Sequence, residues 1–237
     1  MPSPRAADPT RLEQEVRGFT LIELLVVVAT IGILAALLFP LGSKMRRSAE
    51  MASGQAALKN IGAAMGLFLA EHDMGLPSIT QGTEFVVKQK RGPGNDLMYH
   101  LAPYLDGDAL AATNYVPGTA SKAFLRQAKP LDVACYQMSP YVKLADGVGL
   151  KFPFGYRAVG SSPASEGIKI TRIANPSKQV AIIDLDSELK SIDGVASGLS
   201  PVYIPKPLYG DRRMALYFDW HVEAVPVGTN YYSDKRW

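Results

Sequence analysis

Residues 19–41 read FTLIELLVVVATIGILAALLFPL, and this stretch decides the fold. From Leu24 to Leu41 the only polar side chain is Thr30, and no charge follows until Lys44. A helix rises about 1.5 Å per residue, so a run over 19–41 reaches across a hydrocarbon layer of about 30 Å. The pattern predicts a membrane-spanning helix. A secretory signal would carry a shorter apolar run with a small-x-small cleavage site behind it. Here Gly18, with Arg5, Arg11 and Arg17, comes before the run, so any cleavage falls on its N-terminal side. Lys44, Arg46 and Arg47 balance those arginines, and charge alone leaves the orientation open.

Glu23 is the anomaly in this stretch. An acid inside an apolar segment is costly and usually has a partner, yet no cation lies near it on its own face in sequence. A cut after Gly18 would make the Phe19 α-amino group a cation at the same depth, available to Glu23 of an adjacent copy. Self-association is the expected way to satisfy it.

Beyond the span, Met45, Ala49, Ala52, Ala56, Ile61, Met65 and Phe68 recur at mostly three- to four-residue spacing, with Lys44, Arg47, Glu50, Gln55 and Lys59 between them. This predicts an amphipathic continuation over 42–74. Gly75 followed by Pro77 marks its end. One helix from Phe19 to Asp73 would be about 80 Å long.

The stretch Arg17-Gly18-Phe19-Thr20-Leu21-Ile22-Glu23-Leu24-Leu25-Val26-Val27 resembles the cleavage and methylation motif of type IV prepilins and type II secretion pseudopilins. The resemblance implies a leader over 1–18, cut by prepilin peptidase between Gly18 and Phe19, with N-methylation of Phe19. It implies a single-pass helix over 19–41 in the bacterial cytoplasmic membrane, with the C-terminal domain outside the cytoplasm. Pro40 sits where many members have a helix-kinking proline, since proline removes a backbone donor. The leader so defined carries Asp8, Glu13 and Glu15 alongside its arginines.

After Gly75 the texture changes to short apolar or aromatic runs separated by Gly, Pro, Asn and Asp, which are strand signals: 84–87, 179–183 and 214–218. Leu97, Met98, Leu101 and Leu105 share a face and predict a short helix within 95–105. The Gly-, Ser- and Pro-rich stretch 187–207 reads as a long surface loop. The expected fold class is therefore α+β, pilin-like, with a long N-terminal helix packed on an antiparallel sheet in a globular domain over 75–237.

A second resemblance lies in this half, in Leu131-Asp132-Val133-Ala134-Cys135, Phe154-Gly155-Tyr156, Ile173-Ala174-Asn175-Pro176-Ser177 and Tyr217-Phe218-Asp219-Trp220-His221-Val222-Glu223. These segments are similar to pilin-like proteins named for a C-terminal H-x9-DG motif. The motif is degenerate here: Tyr209 stands for the histidine, and Trp220 replaces the glycine after Asp219. A turn that takes glycine at positive φ is strained by tryptophan, so a differently shaped hairpin is expected.

Net charge is +3 with acids and bases interspersed, which is no nucleic-acid footprint. Arg212-Arg213 and Lys44 with Arg46-Arg47 are the basic clusters, and no nucleic-acid partner is expected. Cys135 is the only cysteine, so no internal disulfide forms, and it reads as a buried small hydrophobe. Asp184, Asp186 and Glu188 alternate after an apolar run. They are weak calcium candidates, against the plainer reading of a solvated acidic turn that protects a sheet edge. His72, His100 and His221 have no metal-ligand spacing, and neither a Gly-x-Ser-x-Gly turn nor a phosphate loop is present. No cofactor is expected, and the chain reads as a structural subunit and not an enzyme. Its expected partners are sibling pilin or pseudopilin subunits, prepilin peptidase, a membrane assembly platform and the lipid bilayer. Alternatives are a minor pilin or anchored binding module displaying the C-terminal domain, and a tethered enzyme, which would need a pocket of convergent polar groups.

Overall fold

The computed structural model describes residues 19–79, 86–88, 97–105, 124, 133–156, 164–189 and 202–229, with backbone alone at 37–43, 86, 88, 150, 151 and 202. The chain divides into two compact units, Met1–Arg46 and Arg47–Trp237. Helix α1 runs over Leu21–Glu71, close to the span predicted.

In the first unit every described apolar side chain of α1 is exposed, from Leu21 at 81% to Val27 at 46%. Among the described residues no helix is long and apolar enough to cross a membrane. Residues 21–36 amount to only about 24 Å of helix, short of a hydrocarbon core of about 30 Å. The span expected over 19–41 includes 37–41, whose side chains lie outside the described residues.

In the second unit α1 buries Ala57, Leu58, Ile61, Ala64, Met65, Phe68 and Leu69. The predicted stripe is correct from Ile61 onward, but Ala49, Ala52 and Ala56 face outward. The buried face is set instead by glycine. A Cβ on Gly54 would sit 1.9 Å from the Tyr209 hydroxyl, and one on Gly62 would sit 3.0 Å from Leu216 Cδ1 and 3.3 Å from Trp220 Cβ. Hydropathy spacing cannot register a residue whose contribution is the room it leaves.

The helix ends as Asp73 and Met74 turn left-handed, at φ 50° and 59°. Met74 N–H donates to Leu69 O at 2.9 Å in a Schellman-type closure. Gly75, expected to make this turn, is not left-handed. It is needed for space, because a Cβ there would approach His72 O to 3.0 Å.

Strands β1 (Val86–Lys88), β2 (Val133–Met138), β5 (Val180–Asp184), β7 (Arg212–Tyr217) and β8 (Val222–Pro226) form a sheet in that spatial order, and β6 (Val202–Tyr203) pairs with β2. All these pairings are antiparallel except β2 with β6. Strands β3 (Tyr141–Lys143) and β4 (Gly149–Lys151) make a separate hairpin. The fold is thus α+β, as the sequence implies. Helix α2 (Leu97–Leu101) buries Leu97, Met98 and Leu101, the face read from spacing.

Residues of α1 and α2 share one core cluster with Tyr136, Met138, Ile182, Met214, Leu216 and Val222 of the sheet. A second cluster joins Val180, Ile183, Leu185, Leu189, Ala215 and Val225. Strand β5 is therefore buried on both faces, which is why 180–183 reads as a continuous apolar run and not an alternating one. At about 1.5–3 kcal/mol per fully buried large apolar side chain, these clusters dominate stability. The 187–207 loop needs correction at its ends: Leu189 is buried, Val202 and Tyr203 join the sheet, and Ile204 makes an isolated parallel bridge with Asp186. Residues 190–201 lie outside the described set.

The β7–β8 turn is also corrected. Tyr217 N–H donates to His221 O at 3.0 Å and Trp220 N–H to Tyr217 O at 2.9 Å, while Trp220 itself takes φ 69°. The turn keeps the form that glycine would adopt, and the tryptophan bears the strain, about 1–2 kcal/mol. Packing holds it there, since Trp220 lies over Gly62 and Gly66 of α1. Trp220→Ala is expected to lose about 1–2 kcal/mol of packing without relieving φ. Trp220→Gly, free to turn left-handed, should be the more stable of the two in urea denaturation. The reverse order would mean that no strain resides at this position.

Candidate functional site

The N-terminal site begins at Phe19, which is 80% exposed, because Gly18 lies outside the described residues. The next residues form a capping box. Glu23 N–H donates to Thr20 Oγ1 at 3.3 Å, while Glu23 Oε2 accepts from Thr20 N–H at 2.9 Å and from the Thr20 hydroxyl at 2.8 Å. Glu23 thus has a neutral partner in its own chain, Thr20, which T-x-x-E spacing would have revealed. Both contacts that Glu23 accepts fall on Oε2, and among the described residues no hydrogen bond to Oε1 is found. Thr30 turns its hydroxyl back to Val27 O at 2.9 Å, so the one polar side chain within the apolar run is satisfied internally. Pro40 lies within α1, and its side chain is outside the described residues.

The acidic triplet is reassigned by the structure. Asp184 and Asp186 are buried at 3% and 0% exposure, so they form neither a solvated turn nor an open cation site. Asp186 takes a two-point contact from Arg213, Nε to Oδ2 at 2.7 Å and Nη2 to Oδ1 at 2.9 Å. Its Oδ1 also accepts the N–H groups of Glu188 and Leu189, at 2.9 and 3.0 Å. Arg213 is itself fully buried, and among the described residues its Nη1 has no hydrogen-bond partner. Glu188 is half-exposed and 4.0 Å from Arg213 Nη2. Among the described residues, no group of three or more His, Cys, Asp or Glu side chains is placed to hold a metal ion. Asp184 accepts Met214 N–H at 2.6 Å. Burial, reinforced by Asp186 and opposed by that hydrogen bond and by Arg213, raises its pKa from 3.8 to about 7.

Of the degenerate motif, Tyr209 is buried in the notch over Gly54. Burial, with Asp184 and Glu50 in range, pushes its hydroxyl pKa upward. Its carbonyl accepts Arg47 Nη2 at 2.5 Å, and the same guanidinium pairs with Asp211. Asp219 closes the β7–β8 turn, with Oδ1 2.5 Å from His221 Nδ1. Arg212, the other half of that basic pair, donates to Ala224 O at 2.9 Å. Sequence spacing also missed an aromatic cluster: His72 stacks on Phe68 at 3.8 Å and His100 meets the same ring edge-on at 5.9 Å. Burial lowers the His100 pKa.

A surface cavity of about 200 Å³ opens between the β3–β4 hairpin and residues 174–179, lined by Lys143, Leu144, Gly147, Asn175, Lys178 and Gln179 among others. Gln179 accepts Lys143 N–H at 2.7 Å and donates to Lys143 O at 3.0 Å and to Ala174 O, so its amide is spent on joining the two walls. Its ionisable lining residues are Lys143 and Lys178.

No family model matches this chain. Over 75 residues it is 39% identical to the type II secretion system core protein G of Pseudomonas aeruginosa, a match covering 32% of the chain and 52% of the relative. The chain thus spans about half the length of the curated relative it matches. No solved structure matches.

Proposed function

We propose that the chain is a structural subunit of a type II secretion pseudopilus or a type IV pilus-like filament. The observation that carries this reading is the exposed apolar helix headed by Thr20 and Glu23, together with the partial likeness to a secretion-system core protein. Continuous exposed apolar surface of this kind marks a membrane or protein contact. The α+β unit beyond it, with helix and antiparallel sheet, is consistent with a pilin-like domain.

In this reading prepilin peptidase cuts between Gly18 and Phe19 and methylates Phe19. Residues 19–41 then hold the protein in the cytoplasmic membrane, kinked at Pro40, with the globular unit outside the cytoplasm. Sibling subunits and the assembly platform are its partners. Glu23 keeps one oxygen for the Phe19 amine of a neighbour, the other being held by Thr20.

Mass spectrometry of the assembled protein is expected to find Phe19, methylated, as the first residue. An intact Met1 there would end this reading. Glu23→Ala should leave membrane insertion intact and reduce incorporation into sheared filaments by about tenfold or more, the size of one charge-assisted hydrogen bond. Because Glu23 also caps α1, Glu23→Gln separates the roles: it keeps an oxygen for the Thr20 N–H but has no charge for the amine. Normal incorporation of Glu23→Gln would remove the pairing.

A further inference from the structure

Strand β8 ends the strand order of the sheet on one side, and its pairing with β7 leaves one row of its backbone groups turned outward. Tyr217 N–H reaches His221 O at 3.0 Å and Val227 N–H reaches Asp211 O at 2.9 Å, so the positions of β8 that bond to β7 are the odd-numbered ones. Val222, Ala224 and Pro226 therefore direct their backbone groups away from β7, towards the edge. An unpaired row of this kind is a template on which another chain can add a strand. Two of its positions are closed. Pro226 has no N–H to give. Ala224 O already accepts Arg212 Nη1 at 2.9 Å, and because Arg212 belongs to β7, its exposed side chain crosses β8 to reach that carbonyl. An added antiparallel strand bonds to both the N–H and the O of each position it meets, and among the described residues Val222 is the one edge position of β8 that offers both. At the other end of the strand order, β1 is three residues long and its register shifts between Val87 and Lys88, so that edge is a poor template by its shape alone.

We propose that Arg212 is an edge lock: its hold on Ala224 O, with Pro226 beside it, keeps a second copy of this chain from adding its own β8 to this one. A second copy is the strand to be kept out, because it presents the same row of groups and a two-fold axis brings the two rows together antiparallel. With that axis at Ala224, Ala224 faces Ala224, and Val222 of each copy faces Pro226 of the other. Each proline then leaves a Val222 O without a donor. Each Arg212 guanidinium stands on the Ala224 O that the other copy's N–H would seek. The lock follows from the β7–β8 geometry and holds whether or not the chain assembles through its N-terminal helix.

The test uses the full chain in micelles with detergent in excess, and follows hydrogen exchange at the edge-facing Ala224 N–H against protein concentration. In the unsubstituted protein that exchange should not depend on concentration. Arg212→Met keeps the length of the side chain and removes the donor. In it, protection of Ala224 N–H should grow with concentration, the edge-to-edge association constant rising by up to about tenfold, since one charge-assisted hydrogen bond no longer has to be displaced. Pro226→Val in that background restores an edge N–H and should strengthen the effect, while Arg212→Lys, which still carries a donor, should stay closer to the unsubstituted protein. Val227 N–H, bonded to Asp211 O, is the internal control and should not respond. Concentration-independent exchange at Ala224 in Arg212→Met, or equal concentration dependence in the unsubstituted protein, would overturn the proposal. If Arg212→Met does not fold, the guanidinium of the unsubstituted protein decides: its Nη protons should show slowed rotation in NMR spectra, and free rotation would remove the lock.

Discussion

Arg213→Ala is expected to destabilise the globular unit by about 3–5 kcal/mol, the usual result of removing one partner of a buried pair. Asp186 would remain at 0% exposure with two backbone N–H donors, and Asp184 would lose the favourable charge of Arg213. Against a typical domain stability of about 5–15 kcal/mol, that loss is large enough to leave an unfolded fraction visible without denaturant. The pair itself is not the source of net stability, since desolvating both charges offsets most of their attraction and Arg213 Nη1 is left unsatisfied. The double variant Arg213→Met with Asp186→Leu is therefore expected to recover most of what Arg213→Ala loses. A urea-denaturation cycle over the single and double variants checks this. A loss below about 1 kcal/mol for Arg213→Ala, the scale of exposed pairs, would contradict the buried geometry.

Gly54→Ala should cost about 2–3 kcal/mol, although alanine is the better helix former by about 1 kcal/mol. The added Cβ would lie 1.9 Å from the Tyr209 hydroxyl and 2.6 Å from its Cζ, so the ring must move, and Arg47 and Gly210 press on the same turn. Tyr209→Phe in the Gly54→Ala background removes the nearest atom and is expected to return part of the loss. Gly32→Ala is the matched control: nothing lies within 4 Å of its Cβ position, and only the propensity gain remains. Equal thermal shifts for the two alanine substitutions would show that helix propensity, and not the notch, governs position 54.

The two readings of the acidic triplet failed for one reason. Asp184, Asp186 and Glu188 alternate in sequence like an exposed edge, and what receives the first two in the interior is β7, through Met214 N–H for Asp184 and Arg213, 27 residues on, for Asp186. Arg212-Arg213 reads in sequence as one basic cluster, yet Arg212 is exposed and Arg213 buried. Adjacent residues of a strand point to opposite faces, so one dipeptide supplied both a surface charge and a core charge. Ala49, Ala52 and Ala56 misled in the opposite sense, being apolar enough to suggest a core and small enough to remain outside it.

What the amino-acid order determined by itself is whatever depends on near neighbours. It set the helix over Leu21–Glu71, the T-x-x-E cap at its head, the apolar runs that became β5 and β7, and the buried face of α2. Periodicity and capping act over three or four residues, so they can be read without coordinates. Tertiary structure alone decided which face of α1 meets the sheet, that Trp220 accepts a left-handed conformation over Gly62, and that Arg213 goes inward to Asp186. Each of these is a balance between local preference and the free energy of packing against a distant segment, and that second quantity exists only once the chain has folded.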